Sequence, residues 1–343
     1  MQLRYLACGS VLVSLVGGGL AATTPRQGQA PVQRSTASNG QQAPILTQAE
    51  FDRIFQQVSN WGRWGKDDQR GTYNLLTPKK RKQAAALVRS GLSVSLEHTL
   101  IEEKAPDQAT PLQKLDHGNK LVWETVHGGS SHSHIDALCH MAYKGTLYNG
   151  FVQKDVDTDQ GCVKLGLEVW KDGFVTRGVL IDMPRLKGVP WLEPGTPVTI
   201  QDIHEWEKKT GTKVLPGDAV FLRTGRWARR AKLGPWPIMG GVGPAAGYHS
   251  SVIPWFKAHD VAVISDEGPN DVEPAFVEPA LGRLLPVHAA AIAAMGAIIL
   301  DGQDLDAVAE LAAKLNRSDF MMTAAPLAIA GGTGASINVT ATF

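Results

Sequence analysis

Apolar and polar residues follow helical spacing in several segments that also carry capping signals. Thr77 followed by Pro78 predicts a helix start, because a hydroxyl caps the first turn and proline needs no N–H there. Thr199–Thr210 predicts a second helix, in which Asp202 completes the capping pattern three residues after the threonine. Asp304 precedes apolar residues at helical spacing and predicts the start of a third helix.

Short apolar runs lie between these segments and predict buried β-strands, because they are brief and rich in β-branched residues. The runs are Gly178–Ile181, Ala219–Leu222, Val261–Ile264 and Ala297–Leu300, and three of them end at or just before Asp182, Asp266 and Asp301. Strands and helices mixed without strict alternation predict an α/β domain, and its topology stays open at this point. No linker interrupts residues 48–343, which we therefore expect to form one catalytic domain.

The N-terminal residues have a different character from the rest of the chain. Residues 1–22 combine one early basic side chain, an uncharged apolar stretch and small residues at the end, a pattern typical of a secretory signal peptide. The alternative is a membrane anchor, which three consecutive glycines disfavour. Residues 23–47 are rich in polar residues and proline and predict a flexible leader. We expect an exported protein, periplasmic or secreted, that is not attached to the membrane once its signal peptide has been cleaved.

Composition narrows the function classes. The chain has 343 residues, and 34 Lys and Arg against 33 Asp and Glu leave a net charge of +1. Nucleic-acid binding is not expected, because it requires a clustered basic surplus. Hydrophobic residues make up 43% of the chain, enough for a buried core. Cys139 and Cys162 remain after signal cleavage, and the sequence leaves open whether they pair.

Four of the ten histidines fall between His127 and His140. In an extended chain, His132, His134 and Asp136 lie two residues apart and face one side, as a metal site requires. Imidazole and carboxylate ligands suit Zn²⁺ or Mn²⁺. His140 is close enough in sequence to act on a metal-bound water. The alternative is a solvated loop or a set of hydrogen-bonded structural histidines.

The pattern His-x-Asp-Ala-x-x-His over residues 134–140 resembles the core of the cyclase family of metal-dependent hydrolases, which includes bacterial kynurenine formamidase and isatin hydrolase. The family pattern is His-x-Gly-Thr-His-x-Asp-x-Pro-x-His. The resemblance implies that His134 and Asp136 are metal ligands and that His140 is the catalytic histidine. Ser130 stands where the family has its first histidine. His127 or His132 is then the remaining ligand, and the choice between them stays open.

The resemblance covers most of residues 60–343 and begins with a segment from Trp64 to Thr77 that is similar to the family's N-terminal signature. It implies a single domain of the swivelling β/β/α type and assembly as a homodimer or homotetramer. In two-metal members, a later histidine and an acidic residue complete the second metal position. His288 and Asp301 match them by order and spacing, although aspartate is one methylene shorter than the usual glutamate. His288 is also predicted to line the catalytic site. For Asp301, a cap on the following turn is the alternative.

Three further side chains are candidates for contacts with a substrate. Trp64 and Tyr148 offer aromatic surface for a planar molecule, and His249 lies in a polar segment that could face the pocket. Each has a simpler interpretation, because aromatic residues most often belong to the core and a single histidine often lies at the surface.

Together these observations predict a metal-dependent hydrolase acting on a small molecule. The family resemblance implies cleavage of a C–N bond in an amide, a lactam or an N-formyl group, often on an aromatic substrate. Metal-bound hydroxide would attack the carbonyl, and His140 would serve as general base and then as general acid. Alternatives are a lactonase or lyase built on the same site, or a metal- or ligand-binding protein that has lost catalysis.

Overall fold

A mixed nine-stranded sheet runs through the part of the chain that the computed structural model describes, which is residues 43–101, 104–108, 132–238 and 243–343. Its strands are β1 Ser93–Ser95, β2 His134–Asp136, β5 Phe174–Asp182, β7 Ala219–Arg223, β9 Val263–Asp266, β10 Ile298–Asp301, β11 Asp319–Ala324, β12 Gly334–Ser336 and β13 Thr340–Thr342. They lie in the order β1-β13-β11-β5-β7-β9-β10-β2-β12. Two small sheets pair β3 Asp157–Thr158 with β4 Gly161–Cys162, and β6 Pro197–Val198 with β8 Gly247–Tyr248.

The centre of the large sheet is parallel and largely buried. Strands β5, β7, β9 and β10 pair in parallel, and their apolar residues form part of the hydrophobic core. Strands buried on both faces appear in a sequence as continuous apolar runs, which is why all four were predictable from the sequence. The expected α/β class is confirmed. The antiparallel flanks have no comparable signal, because β1, β2 and β12 are only three residues long.

Helices pack against the sheet, and two of them begin directly after the capping residues that the sequence predicts. Thr199 and Asp202 form the predicted capping box, and the Thr77 hydroxyl accepts the N–H of Lys80. The third predicted helix begins at Asp306 with Leu305 as its N-cap, so Asp304 lies one residue before the cap, where its carboxylate accepts the N–H of Asp306 at 3.1 Å. The α-helices are α1 Gln48–Val58, α2 Pro78–Ala85, α3 Gln153–Val156, α4 Met183–Lys187, α5 Ile200–Thr210, α6 Arg226–Leu233, α7 Ile253–Ala258, α8 Pro286–His288 and α9 Asp306–Leu315.

A π-helix, Ala289–Met295, follows directly after His288. Every one of its residues is buried. The carbonyls of its last turn have no partner within the helix and therefore need hydrogen-bond donors from other segments. Asn60 donates its backbone N–H and its side-chain amide to the carbonyls of the final two residues, at 2.9 and 2.8 Å. The indole N–H of Trp61 donates to the preceding carbonyl at 2.8 Å. The segment that resembles the family's N-terminal signature therefore begins just after residues that stabilise the helix next to His288.

A disulfide joins Cys139 to Cys162, with 6.4 Å between the Cα atoms. Cys139 immediately precedes His140, and Cys162 ends the small sheet strand β4. The bond links the segment that follows β2 to strand β4. The sequence had left open whether these two cysteines pair.

Within the described residues, no helix combines the length and the apolar character needed to cross a bilayer. The predicted signal peptide and residues 23–42 of the predicted leader lie outside these residues.

We predict that Gly71→Ala destabilises the fold far more than Gly62→Ala. Both glycines have positive φ angles, +57° and +75°, so alanine at either position carries a backbone strain of about 1–2 kcal/mol. A Cβ at Gly71 would lie 2.0 Å from the carbonyl oxygen of Gly296, whereas one at Gly62 would contact nothing within 4 Å. In urea unfolding, Gly71→Ala should lose about 1–3 kcal/mol more than the control. Equal losses would contradict this close packing.

Candidate metal centre

The site begins with the antiparallel pairing of β2 and β10. In this register His134 lies opposite Asp301, and Asp136 lies opposite Ile299. Side chains that alternate along a strand share a face, and directly paired residues point to the same face. The pairing therefore brings His134, Asp136 and Asp301 to one face of the sheet, although they come from opposite halves of the chain.

His288 completes a compact group with the two carboxylates. One ligand atom each from Asp136, His288 and Asp301 lie within 4.8 Å of one another, and all three residues are buried. The Nε2 atom of His288 is 3.0 Å from Asp301 Oδ2 and 3.7 Å from Asp136 Oδ2. The structure therefore brings the predicted early ligand Asp136 into the same site as the predicted later pair.

Two more histidines reach this group from β2 and the residues after it. His134 donates from Nδ1 to the carbonyl of His132 at 2.9 Å, and its Nε2 lies 3.5 Å from Asp301 Oδ2. The Nε2 atom of His140 lies 3.6 Å from Asp136 Oδ2. The His140 side chain is 27% exposed, whereas that of Asp136 is 2% exposed. His140 is thus the partly open member of the group.

Asp271 fixes the orientation of His288. Its Oδ2 accepts Nδ1–H of His288 at 2.8 Å and the backbone N–H of His288 at 3.0 Å, while Oδ1 accepts the N–H of Val287 at 2.7 Å. The bond at Nδ1 leaves Nε2 facing Asp136 and Asp301. Burial alone would lower the pKa of His288, but the carboxylates of Asp301 and Asp271 outweigh it and hold that pKa well above its usual value.

This donor set fits a divalent transition metal ion. Imidazole nitrogens and carboxylate oxygens are ligands that suit Zn²⁺ and Mn²⁺, and Asp136, His288 and Asp301 offer such atoms within 4.8 Å of one another. His134, Asp136, His288 and Asp301 would hold the ion.

His132 does not join this group. Its Nε2 accepts the backbone N–H of Ile101 at 2.9 Å, and its Nδ1 lies 3.8 Å from a carboxylate oxygen of Glu97. Its ring lies over Trp227 at 6.3 Å between centroids. Burial lowers the pKa of His132 to about 4, which suits a neutral ring that accepts a hydrogen bond. Strand β2 begins only at His134, so the alternation assumed for His132 does not extend to it. His127, the competing ligand, lies outside the described residues.

The three residues predicted to contact a substrate lie among other neighbours. The ring of Trp64 packs under the guanidinium of Arg63. Tyr148 is fully buried, and its hydroxyl donates to Asp68 at 2.9 Å. The contacts observed for these two aromatic residues are those of packing, and their substrate roles stay predictions.

His249 is likewise engaged in local structure. Its Nδ1 accepts the N–H of Ser251 at 3.1 Å, and its Nε2 bonds to the carbonyl of Pro44 at 3.1 Å. Both ring nitrogens therefore contact neighbouring segments of the chain, and the substrate role of His249 stays a prediction.

Two residues of the site, Asn270 and Asp271, were not identified from the sequence. Both lie in the loop after β9, where Asn270 donates its side-chain amide to Asp301 and Asp271 holds His288. The sequence signal for this loop was Asp266, which ends an apolar run just before it. Polar residues that follow a buried strand often line a site. Nothing in the local sequence indicated which residues of the loop would face inward.

Comparison with known proteins places the chain in a family. The model of the Cyclase family, described as "Putative cyclase", matches residues 74–270, and the chain belongs to this family. The matched range includes His134, Asp136 and His140 and ends before His288. No curated protein matches the chain.

One solved structure supports this assignment at the level of the fold. A crystal structure described as a novel cyclase is 28% identical, with a TM-score of 0.69 over 84% of this chain and 99% of its own. The α/β fold expected from the family resemblance is thereby confirmed. Isatin hydrolase A from Ralstonia solanacearum is 18% identical, with a TM-score of 0.45 over 76% of this chain and 93% of its own. An isatin hydrolase bound to the product analogue thioisatinate is 17% identical, with a TM-score of 0.47 over 78% and 97%.

We predict that His134→Gln and His132→Gln separate the two histidines. His134→Gln should weaken Zn²⁺ or Mn²⁺ binding by more than the 10–100-fold typical of losing an outer partner of a metal site, because it removes an imidazole that faces Asp301. His132→Gln should retain the metal, since glutamine can still accept the N–H of Ile101. Metal per chain, measured by mass spectrometry after gel filtration, tests both. Metal loss in His132→Gln alone would overturn this assignment.

Proposed function

We propose that the chain is a metal-dependent hydrolase that cleaves the C–N bond of an amide, a lactam or an N-formyl group. The observation that carries this proposal is the convergence of His134, Asp136, His288 and Asp301 on one buried site beside the partly exposed His140. Membership of the cyclase family supports the reaction class, and the motif over residues 134–140 supports the individual roles.

The chain's own residues divide the work between binding and proton transfer. A bound divalent ion would supply Lewis-acid activation of water and of the substrate carbonyl. His134, Asp136, His288 and Asp301 would hold the ion, and Asp271 keeps Nε2 of His288 turned towards Asp136 and Asp301. His140 is not needed to complete this set. Its position beside Asp136 and its partial exposure suit a base that takes a proton from water and returns it to the leaving nitrogen.

We predict that His140→Ala separates metal binding from catalysis. The variant should keep its metal, because the four binding residues remain, and should lose about 10²–10⁴-fold in kcat with the loss of general acid–base catalysis. The matched control is His204→Ala, since His204 lies on α5 with a side chain that is 60% exposed. Metal content and turnover are measured on the same samples. Full activity of His140→Ala would remove its catalytic role.

A panel of lactams, N-formyl arylamines, simple amides and lactones identifies the substrate class. We expect turnover of at least one nitrogen-containing class, with activity lost on chelation and restored by Zn²⁺ or Mn²⁺. Turnover of lactones alone would replace the proposal with a lactonase. Bound metal without turnover of any compound would favour a binding protein that has lost catalysis.

We further propose that the protein is exported. The signal-like residues 1–22 support this proposal, and so does the disulfide between Cys139 and Cys162, because disulfides persist chiefly in oxidising compartments.

We predict that the exported chain begins near residue 23 and has no reactive thiol when denatured without reductant, since Cys8 leaves with the signal peptide. N-terminal sequencing and thiol titration after cell fractionation test this. A cytoplasmic protein with two or more free thiols would contradict export.

A further inference from the structure

Asn270 contacts the end of β10 through both hydrogens of its side-chain amide. The Nδ2 group donates to Oδ1 of Asp301 and, at 3.1 Å, to the backbone carbonyl of Leu300. Asn270 is fully buried. Its amide therefore binds both the carboxylate of Asp301, a residue of the candidate metal site, and the backbone carbonyl of the preceding residue.

This contact gives the two carboxylate oxygens of Asp301 different surroundings. Oδ1 is turned to Asn270, whereas Oδ2 lies 3.0 Å from Nε2 of His288 and 3.5 Å from Nε2 of His134. A free carboxylate can bind a cation through both oxygens. With one oxygen held by an amide donor, a single oxygen faces the histidines.

The loop backbone holds Asn270 in place. Its N–H donates to Oδ1 of Asp266 at 2.9 Å, and its carbonyl accepts the N–H of Tyr248 at 2.7 Å. Its φ of +56° lies in the left-handed region, which asparagine tolerates better than most residues. The next residue, Asp271, orients His288. One loop thus fixes two metal-site side chains that lie beyond it in sequence.

We propose that Asn270 is a positioning residue that limits Asp301 to one metal-facing oxygen and thereby makes the site select transition-metal ions over Ca²⁺. This inference rests on the metal site of the proposed function. Ca²⁺ takes six to eight oxygen ligands and often binds carboxylates through both oxygens, whereas Zn²⁺ and Mn²⁺ accept imidazole nitrogen and fewer oxygens. Selection against Ca²⁺ matters for an exported protein, because Ca²⁺ is abundant outside the cytoplasm.

The test is calorimetric titration of chelator-treated protein with Zn²⁺, Mn²⁺ and Ca²⁺. Asn270→Gly removes the amide and keeps the left-handed backbone unstrained. The matched control is Asn316→Gly, because Asn316 has a φ of +50° at the exposed C-terminal end of α9. Wild type and control should bind alike. Asn270→Gly should bind Zn²⁺ and Mn²⁺ about 10–100-fold more weakly, while Ca²⁺ binds as well as before or better.

The ratio of Zn²⁺ to Ca²⁺ affinity is a readout that general destabilisation does not move. Unchanged Zn²⁺ affinity in Asn270→Gly, or an equal loss for all three ions, would overturn the positioning role. If Asn270→Gly does not fold, Asn270→Asp keeps the side-chain shape and replaces the donor with an acceptor, and its Zn²⁺ to Ca²⁺ ratio should fall as well. Wild-type protein that binds no divalent ion would overturn the proposed function itself, whereas a metal-binding, active wild type with an unchanged ratio in the variants would overturn this inference alone.

Discussion

The antiparallel pairing of β2 with β10 is the constraint on which the site depends. It sets His134 opposite Asp301 and puts Asp136 on the same face of the sheet. A slip of one residue would move every side chain of β2 to the other face and separate the imidazole from the carboxylate. Strand β10 is held by the parallel centre of the sheet through β9, so the buried apolar strands determine where a polar site can form.

Support for the site comes from two neighbouring segments. The loop after β9 supplies Asp271, which holds His288. The π-helix that follows His288 is held at its far end by Asn60 and Trp61, whose N–H groups bind its last carbonyls. The positions of the site side chains are thus set by buried hydrogen bonds as well as by the sheet. Such support is what a site needs to keep several ionisable groups within a few ångströms of one another.

The candidate site was predictable where its geometry is local. His134 and Asp136 share a face because both lie in one strand, and His140 follows closely enough to reach Asp136. His132 shows the limit of the same rule, since the two-residue period holds only while the chain stays extended and β2 begins after it. His288 and Asp301 came from the family resemblance, because no local pattern links them to the histidine cluster. Asn270 and Asp271 were missed, since their roles depend on how a loop folds back over a strand end.

The sequence by itself determined the class of fold, the buried strands, the helix caps and the early part of the site. These features follow from spacing and capping between residues near one another in the chain. Only the tertiary structure decided that the early and late candidate ligands form one group, that His132 faces elsewhere, and that Cys139 pairs with Cys162. The reason is that strand order and register are set by the packing of the whole core, so contacts between distant segments have no signature in either segment alone.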